Sequence, residues 1–273
     1  MTGIDRIARA FDGGAGIKLM AHAVVGYPDM GASERILAAM ARSGADIIEA
    51  QLPFSDPSAD GKSIVEANYA SLKSGSSTKA CLEALERLRA TTEAPILIMS
   101  YLNPLLAYGI DALVERMAAS GLDGLIVPDY PDDEDEPPLA KRCEAAGLAL
   151  VPLIAPTTSL ERAESLAAAS SSPFLYVVMR LGVTGRRTEL DAAGKERLKA
   201  IKARTGKRLA AGFGLRERAQ IEALEGAADC AIVGSALIDA ARAALEADAD
   251  PAAAVAAMIA SLTGRSPSFT ADS

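Results

Sequence analysis

The sequence predicts an α/β fold, a (β/α)8 TIM barrel with an extra N-terminal helix, on three observations. Eight short apolar runs alternate with stretches of helical period through 273 residues. A glycine recurs where each of several helices hands over to a strand: Gly44-Ala-Asp46, Gly121-Leu-Asp123, Gly147-Leu-Ala149 and Gly226-Ala-Ala-Asp229. Such a glycine suits the left-handed residue that ends a helix. The length also matches eight βα units, which usually take about 250 residues. A doubly wound open sheet is the alternative; it needs a reason for eight strands and lacks the early glycine fingerprint.

The elements follow in order. Residues 3–12 form a short amphipathic helix with Ile4, Ile7, Ala8 and Phe11 on one face. The first strand is 18–25, stopped by Gly26-Tyr-Pro-Asp29, and a helix spans 31–42. The second strand, 46–52, leads into a loop broken by Pro53, Pro57 and Gly61, then helices 62–74 and 78–91. Strand–helix pairs continue as 95–100 with 109–119, 123–127 with 133–146, and 148–154 with 159–169. The last three pairs are 174–178 with 190–204, 208–211 with 215–225, and 230–233 with 235–247. One more helix fits 252–262. No Pro/Gly/Ser-rich linker divides the chain, so residues 1–263 are expected to form one domain and 264–273 a disordered tail.

Half of the residues are hydrophobic, which supplies a large core. A net charge of −8 argues against nucleic acid or an anionic membrane as partner. Cys81, Cys143 and Cys230 are far apart, with neither metal-ligand spacing nor a disulfide framework, so no metal is expected. The first residues lack a signal-peptide apolar core, and no apolar run is long enough to span a bilayer. A cytoplasmic location is therefore expected.

The chain is organised around Glu49 to Gly61. Glu49 lies near the C-terminal end of a strand, on the same face as Ile47 and Gln51. In a parallel sheet covered on both sides it is buried whichever way it points. A buried carboxylate is costly, which favours a functional role. Asp56 and Asp60 ride on the following loop. Asp56 before Pro57 reads as a turn starter, and Asp60 alone is equally a turn residue. A carboxylate on a strand and another on a loop nevertheless make a workable acid/base layout.

Barrel chemistry sits at the C-terminal ends of the strands. There the sequence places Gly182-Val-Thr-Gly185, Gly212-Phe-Gly214 and Gly234-Ser235, the last opening a helix. Three successive glycine turns with a helix N-terminus form a cradle of N–H groups for a phosphate. The acidic cluster 132–136 reads as a solvated helix start. His22, the single histidine, is first of all a barrel-interior residue satisfied by a hydrogen bond. Tyr27, Tyr101 and Tyr108 read as packing or rim residues.

The stretch Glu49-Ala-Gln-Leu-Pro-Phe-Ser-Asp-Pro-Ser-Ala-Asp60-Gly61 resembles the signature of the tryptophan synthase α subunit family. The resemblance continues through Gly26-Tyr-Pro28, Tyr101-Leu-Asn103-Pro104, Pro128-Asp129-Tyr-Pro131 and Leu153-Ile-Ala-Pro-Thr-Thr158. It takes in Tyr176 and the three glycine turns, and covers nearly the whole barrel. It implies a lyase that splits indole-3-glycerol phosphate into indole and glyceraldehyde 3-phosphate. Glu49 would be the general acid/base and Asp60 would stabilise charge on the indole nitrogen. Substrate contacts would come from Tyr176, Phe213, His22, Tyr101, Gly185, Gly214, Gly234 and Ser235. The resemblance further implies no cofactor in this subunit. Its partner would be a pyridoxal-phosphate β subunit in an α2β2 complex, docked at the 53–62 loop and around Asn103-Pro104.

The chain departs from the family pattern at Gln51 (usually glycine), Lys62 (usually proline), His22 (often an aromatic), Val24 (often threonine) and Met179 (usually serine). These departures keep two alternatives open: a phosphate-binding barrel lyase drifted to another substrate, and a weakly catalytic activator of a β subunit. Gln51 is expected to hydrogen-bond Glu49 or His22.

Overall fold

The computed structural model describes residues 1–14, 16–130, 139–179, 190–212 and 214–265. The chain opens with α1 (Gly3–Asp12), β1 (Lys18–Val24), α2 (Met30–Arg42) and β2 (Ile47–Gln51). There follow α3 (Lys62–Lys73), α4 (Thr78–Arg89), β3 (Ile96–Met99), α5 (Leu102–Tyr108), α6 (Ile110–Ala119) and β4 (Gly124–Ile126). The middle of the chain holds α7 (Leu139–Ala145), β5 (Ala149–Leu150), β6 (Leu153–Ile154), α8 (Leu160–Ala169) and β7 (Phe174–Val178). The last units are α9 (Ala192–Thr205), β8 (Arg208–Gly212), α10 (Arg218–Glu222), β9 (Cys230–Val233), α11 (Ser235–Glu246) and α12 (Pro251–Thr263).

The nine strand segments are parallel, in the order β5-β4-β3-β2-β1-β9-β8-β7-β6. The two ends of that row are halves of one strand. Val151 N–H donates to Leu125 O at 2.9 Å on the β4 side, and Pro152 O accepts from Tyr176 N–H at 3.0 Å on the β7 side. The chain between β5 and β6 therefore closes the ring itself, and nine segments make eight strand positions. The sequence reading of 148–154 as one unbroken strand needs correcting only at Pro152, which has no N–H to give to a ladder. Two other readings change. A seven-residue helix, α5, fills a stretch left without an element, and α10 covers only part of 215–225. Of the expected helix 133–146, residues 133–138 lie outside the described residues, as does the expected tail beyond Arg265.

Strand alternation builds two cores. Leu19, Ala21, Ile48, Ala50, Ile96 and Ile98 face outward and meet Leu82, Leu85 and Met117 from the helices. Met20, Ile47, Leu97 and Phe174 face inward. The bottom of this inner core is closed by α1, which inserts Ile7 and Phe11 below the strands' N-terminal ends. The Phe11 and Phe174 rings lie 5.3 Å apart, and Arg208 stacks over Phe11. Gly3 sits so close to Asp123 that a Cβ would fall 2.4 Å from its carbonyl oxygen. Asp123 is fully buried, paired with Arg6 and Arg89, and accepts from Ile96 N–H at 2.7 Å. With one end plugged, the barrel is open at the C-terminal ends of its strands.

Candidate active site

At that open end lies a cavity of about 530 Å³, a size that suits a small ligand. Glu49, Asp60, His22, Tyr176, Gly214, Gly234 and Ser235 all line it. Phe213 and Gly185 lie outside the described residues. Tyr101 is buried and is not among the lining residues; it sits behind the loop that carries Asp60. Ile64, Met99, Val127, Leu153, Val178 and Ile232 give the cavity an apolar wall that the sequence did not single out.

β2 carries Glu49 inward, in register with His22 on β1. Glu49 is 1% exposed and His22 4% exposed. Glu49 Oε2 stands 3.5 Å from His22 Nδ1, an ion-pair separation wider than a good hydrogen bond. Glu49 Oε2, His22 Nε2 and Gln51 Oε1 are buried without a hydrogen-bond partner. Burial pushes the His22 imidazole down, but the Glu49 carboxylate, Asp60 and Gln51 outweigh it and hold it above the ordinary histidine value.

Gln51 does not bond to Glu49. Its Nε2 donates to Asp60 Oδ2 at 2.7 Å, while its oxygen end favours the charged form of His22 without closing a hydrogen bond of good geometry. The loop is held at two further points. Buried Asn68 on α3 accepts from Phe54 N–H at 2.9 Å, and the Tyr101 hydroxyl accepts from Ala59 N–H at 2.9 Å. The Phe54 and Tyr101 rings pack 5.4 Å apart. Burial raises the Asp60 pKa, and Gln51, His22 and Tyr101 offset this only in part. Burial also keeps the Tyr176 hydroxyl protonated, with Glu49 and Asp60 adding to the effect.

On the opposite rim, Gly234 and Ser235 start α11, whose N-terminal N–H groups face the cavity. Gly234 packs closely on the histidine: a Cβ there would lie 3.2 Å from His22 Cδ2, tight enough that the ring would have to give. Other motif residues brace the rim. Asp129 accepts from Leu102 N–H at 2.8 Å and caps α5. Thr158 accepts from Ala155 N–H at 3.0 Å, and Arg197 donates to the carbonyls of Ala155 and Thr158. Two carboxyl groups, an apolar wall and a helix start thus face one cavity.

Known proteins share this frame. The family profile described as tryptophan synthase alpha chain matches residues 15–264. The tryptophan synthase alpha chain of Syntrophotalea carbinolica is 40% identical over 222 residues, 81% of this chain and 87% of that one. The one from Carboxydothermus hydrogenoformans is 41% identical over 223 residues, 81% of this chain and 82% of that one. A chain of Mycobacterium tuberculosis tryptophan synthase superposes with a TM-score of 0.85 at 33% identity, covering 95% of this chain and 97% of its own. A mutant tryptophan synthase alpha-subunit from Pyrococcus furiosus gives 0.81 at 28% identity, covering 91% and 98%. Because the match runs through every strand of the barrel and takes in both carboxylates of its open end, the chain belongs to the tryptophan synthase alpha chain family.

Proposed function

We infer that the chain is a lyase of tryptophan biosynthesis that cleaves indole-3-glycerol phosphate to indole and glyceraldehyde 3-phosphate. The observation that carries the residue roles is that Glu49, fixed on β2, and Asp60, on its loop, face one cavity. Glu49 gives a proton to the ring carbon that bears the glycerol chain. The ring nitrogen becomes cationic, and Asp60 supplies the counter-charge. Removal of the proton from the adjacent side-chain hydroxyl then breaks the carbon–carbon bond. Its electron pair returns to the ring, and the former carbinol becomes the aldehyde. One proton is given and one taken back, so a single carboxyl serves as acid and then as base.

Gly185, Gly214, Gly234 and Ser235 would hold the phosphate, and Phe213 would wall the pocket. Tyr176 would position the carboxylate. Tyr101 acts on substrate through the loop it supports. The chemistry assigned to this chain is proton transfer, and pyridoxal phosphate belongs to the β subunit that would receive the indole in an α2β2 complex. Docking would use the 53–62 loop and the start of α5; exposed Val65, Tyr69 and Leu106 on the helices that follow support this. Among the described residues no helix is long and apolar enough to cross a membrane. Buried free Cys81, Cys143 and Cys230 are compatible with a cytoplasmic home.

The test is indole release from indole-3-glycerol phosphate, with and without a β subunit. Release that rises with the β subunit, and that falls by at least about two orders of magnitude in Glu49→Gln, is expected. Near-normal turnover in Glu49→Gln would remove the role given to Glu49. No release even with the β subunit would remove the substrate.

A further inference from the structure

The inner wall carries a histidine and a glutamine beside the two carboxylates, and the cleavage as written uses neither. His22 and Glu49 are register partners, both almost wholly buried, 3.5 Å apart. Each keeps a buried polar atom without a hydrogen bond. Two buried groups of opposite sign that share one proton leave the site's net charge unchanged wherever that proton sits, which avoids the cost of an isolated buried charge.

We propose that His22 and Glu49 hold a single proton between them, and that His22 is a positioning residue for cleavage, keeping this proton available to Glu49. The proposal rests on Glu49 being the acid/base. In the resting pair the imidazolium carries the proton and the carboxylate is its counter-ion. The pair gives one proton to the ring carbon and recovers one from the side-chain hydroxyl, so it ends as it began. Gln51 joins the arrangement by holding Asp60 with its N–H while its oxygen lies towards His22.

The groups around His22 support this assignment. Glu49 faces it from β2 and Asp60 from the loop. Tyr176 on β7 and Cys230 on β9, which act on Glu49 and not on His22, are kept neutral by burial. Behind β1, on its outer face, α2 and α11 pack Ile36, Met40, Leu237 and Ile238, with Tyr27 the titratable side chain there, kept protonated by burial. Among the described residues around it, no cation competes for Glu49. The net result is an imidazole held above its ordinary value.

The test exploits the fact that the chain has one histidine. In the full chain labelled at histidine, NMR should follow a single imidazole titrating above about 6.5, the unperturbed value. Glu49→Gln should lower that midpoint by at least about one pH unit, because burial then acts without its counter-charge. An unmoved midpoint in Glu49→Gln overturns the shared proton. In the presence of the β subunit, His22→Phe keeps a ring of similar size and should move the alkaline limb of kcat/KM for indole release to lower pH by about one unit. A carboxyl alone surrenders its proton at lower pH than an imidazolium does. A uniform loss of rate with the limb unmoved overturns the positioning role. If the unaltered chain releases no indole, the cleavage reading fails and the role in cleavage with it, while the NMR titration still decides whether the pair exists.

Discussion

Gln51 and Asp60, nine residues apart in sequence, are joined by a 2.7 Å hydrogen bond that ties the loop carboxylate to the strand carrying Glu49. A hydrogen bond to a charged group contributes about 1.5–3 kcal/mol, so this tether is strong enough to set where Asp60 sits. Gln51→Gly should free the loop acid and lower kcat/KM for indole release by about threefold to tenfold, or about 0.7–1.4 kcal/mol in the barrier. A tenfold rise would instead mean that the glutamine obstructs the pocket.

The turn at Gly234 gives a second expectation. Its backbone lies against the His22 ring, and α11 begins at the next residue. Inorganic phosphate and glycerol 3-phosphate should therefore compete with substrate, held by N–H groups of Gly214, Gly234 and Ser235. In Gly234→Ala the new Cβ presses on His22 and shifts the N–H groups. Competitive inhibition should weaken by about tenfold, roughly 1.4 kcal/mol. Inhibition of unchanged strength would move the anion elsewhere on the barrel.

Asp123 is a matter of stability rather than chemistry. It lies at the barrel's closed end, fully buried between Arg6 and Arg89. Removing it strands two largely buried guanidinium groups and releases α1 from β4. Asp123→Ala should cost about 3–5 kcal/mol in denaturant unfolding, the usual price of breaking a buried pair from one side. A loss under 1 kcal/mol would mean that α1 is held by its other contacts, Ile7 and Phe11 in the core and Arg208 against Phe11 and Asp12.

Much of the barrel was legible because its signals are local. The glycine at each helix end and the apolar runs between them lie within a few residues of one another, and Gly44, Gly121, Gly147 and Gly226 all adopt positive φ. What escaped depends on distant partners. The sequence reading leaves the stretch of α5, with Asn103-Pro104, without an element. Yet Pro104 occupies the first turn, where a missing N–H costs nothing, and the N-terminal contact comes from Asp129 in the next unit. Alternation put Gln51 on the face of Glu49 correctly. It could not reveal that the loop folds back to bring Asp60 within reach. Asn68 carries no mark in the pattern of α3, although it anchors Phe54. The split at Pro152 follows from its missing N–H, but that it falls where the ring closes is a property of the whole sheet.

Asp60 should trade stability for function. Burial is the largest influence on its carboxyl and raises the pKa; the Gln51 N–H, His22 and Tyr101 restrain the rise without cancelling it, and Glu49 adds to it. With the folded pKa above the unfolded one, the ionised form disfavours folding. That penalty is fully present above the folded pKa and vanishes below the unfolded value, near 3.9 for an aspartate. Asp60→Asn keeps an oxygen for the Gln51 N–H and removes the charge. At pH 7 its melting temperature should rise by about 2–4 °C, the scale of 1 kcal/mol in a domain of this size. At pH 3 the two proteins should melt together. Indole release should meanwhile fall by about a hundredfold or more, since asparagine offers no counter-charge to a cationic ring nitrogen. A melting temperature at pH 7 that drops on substitution would show that His22 and Gln51 stabilise the ionised carboxylate more than burial penalises it.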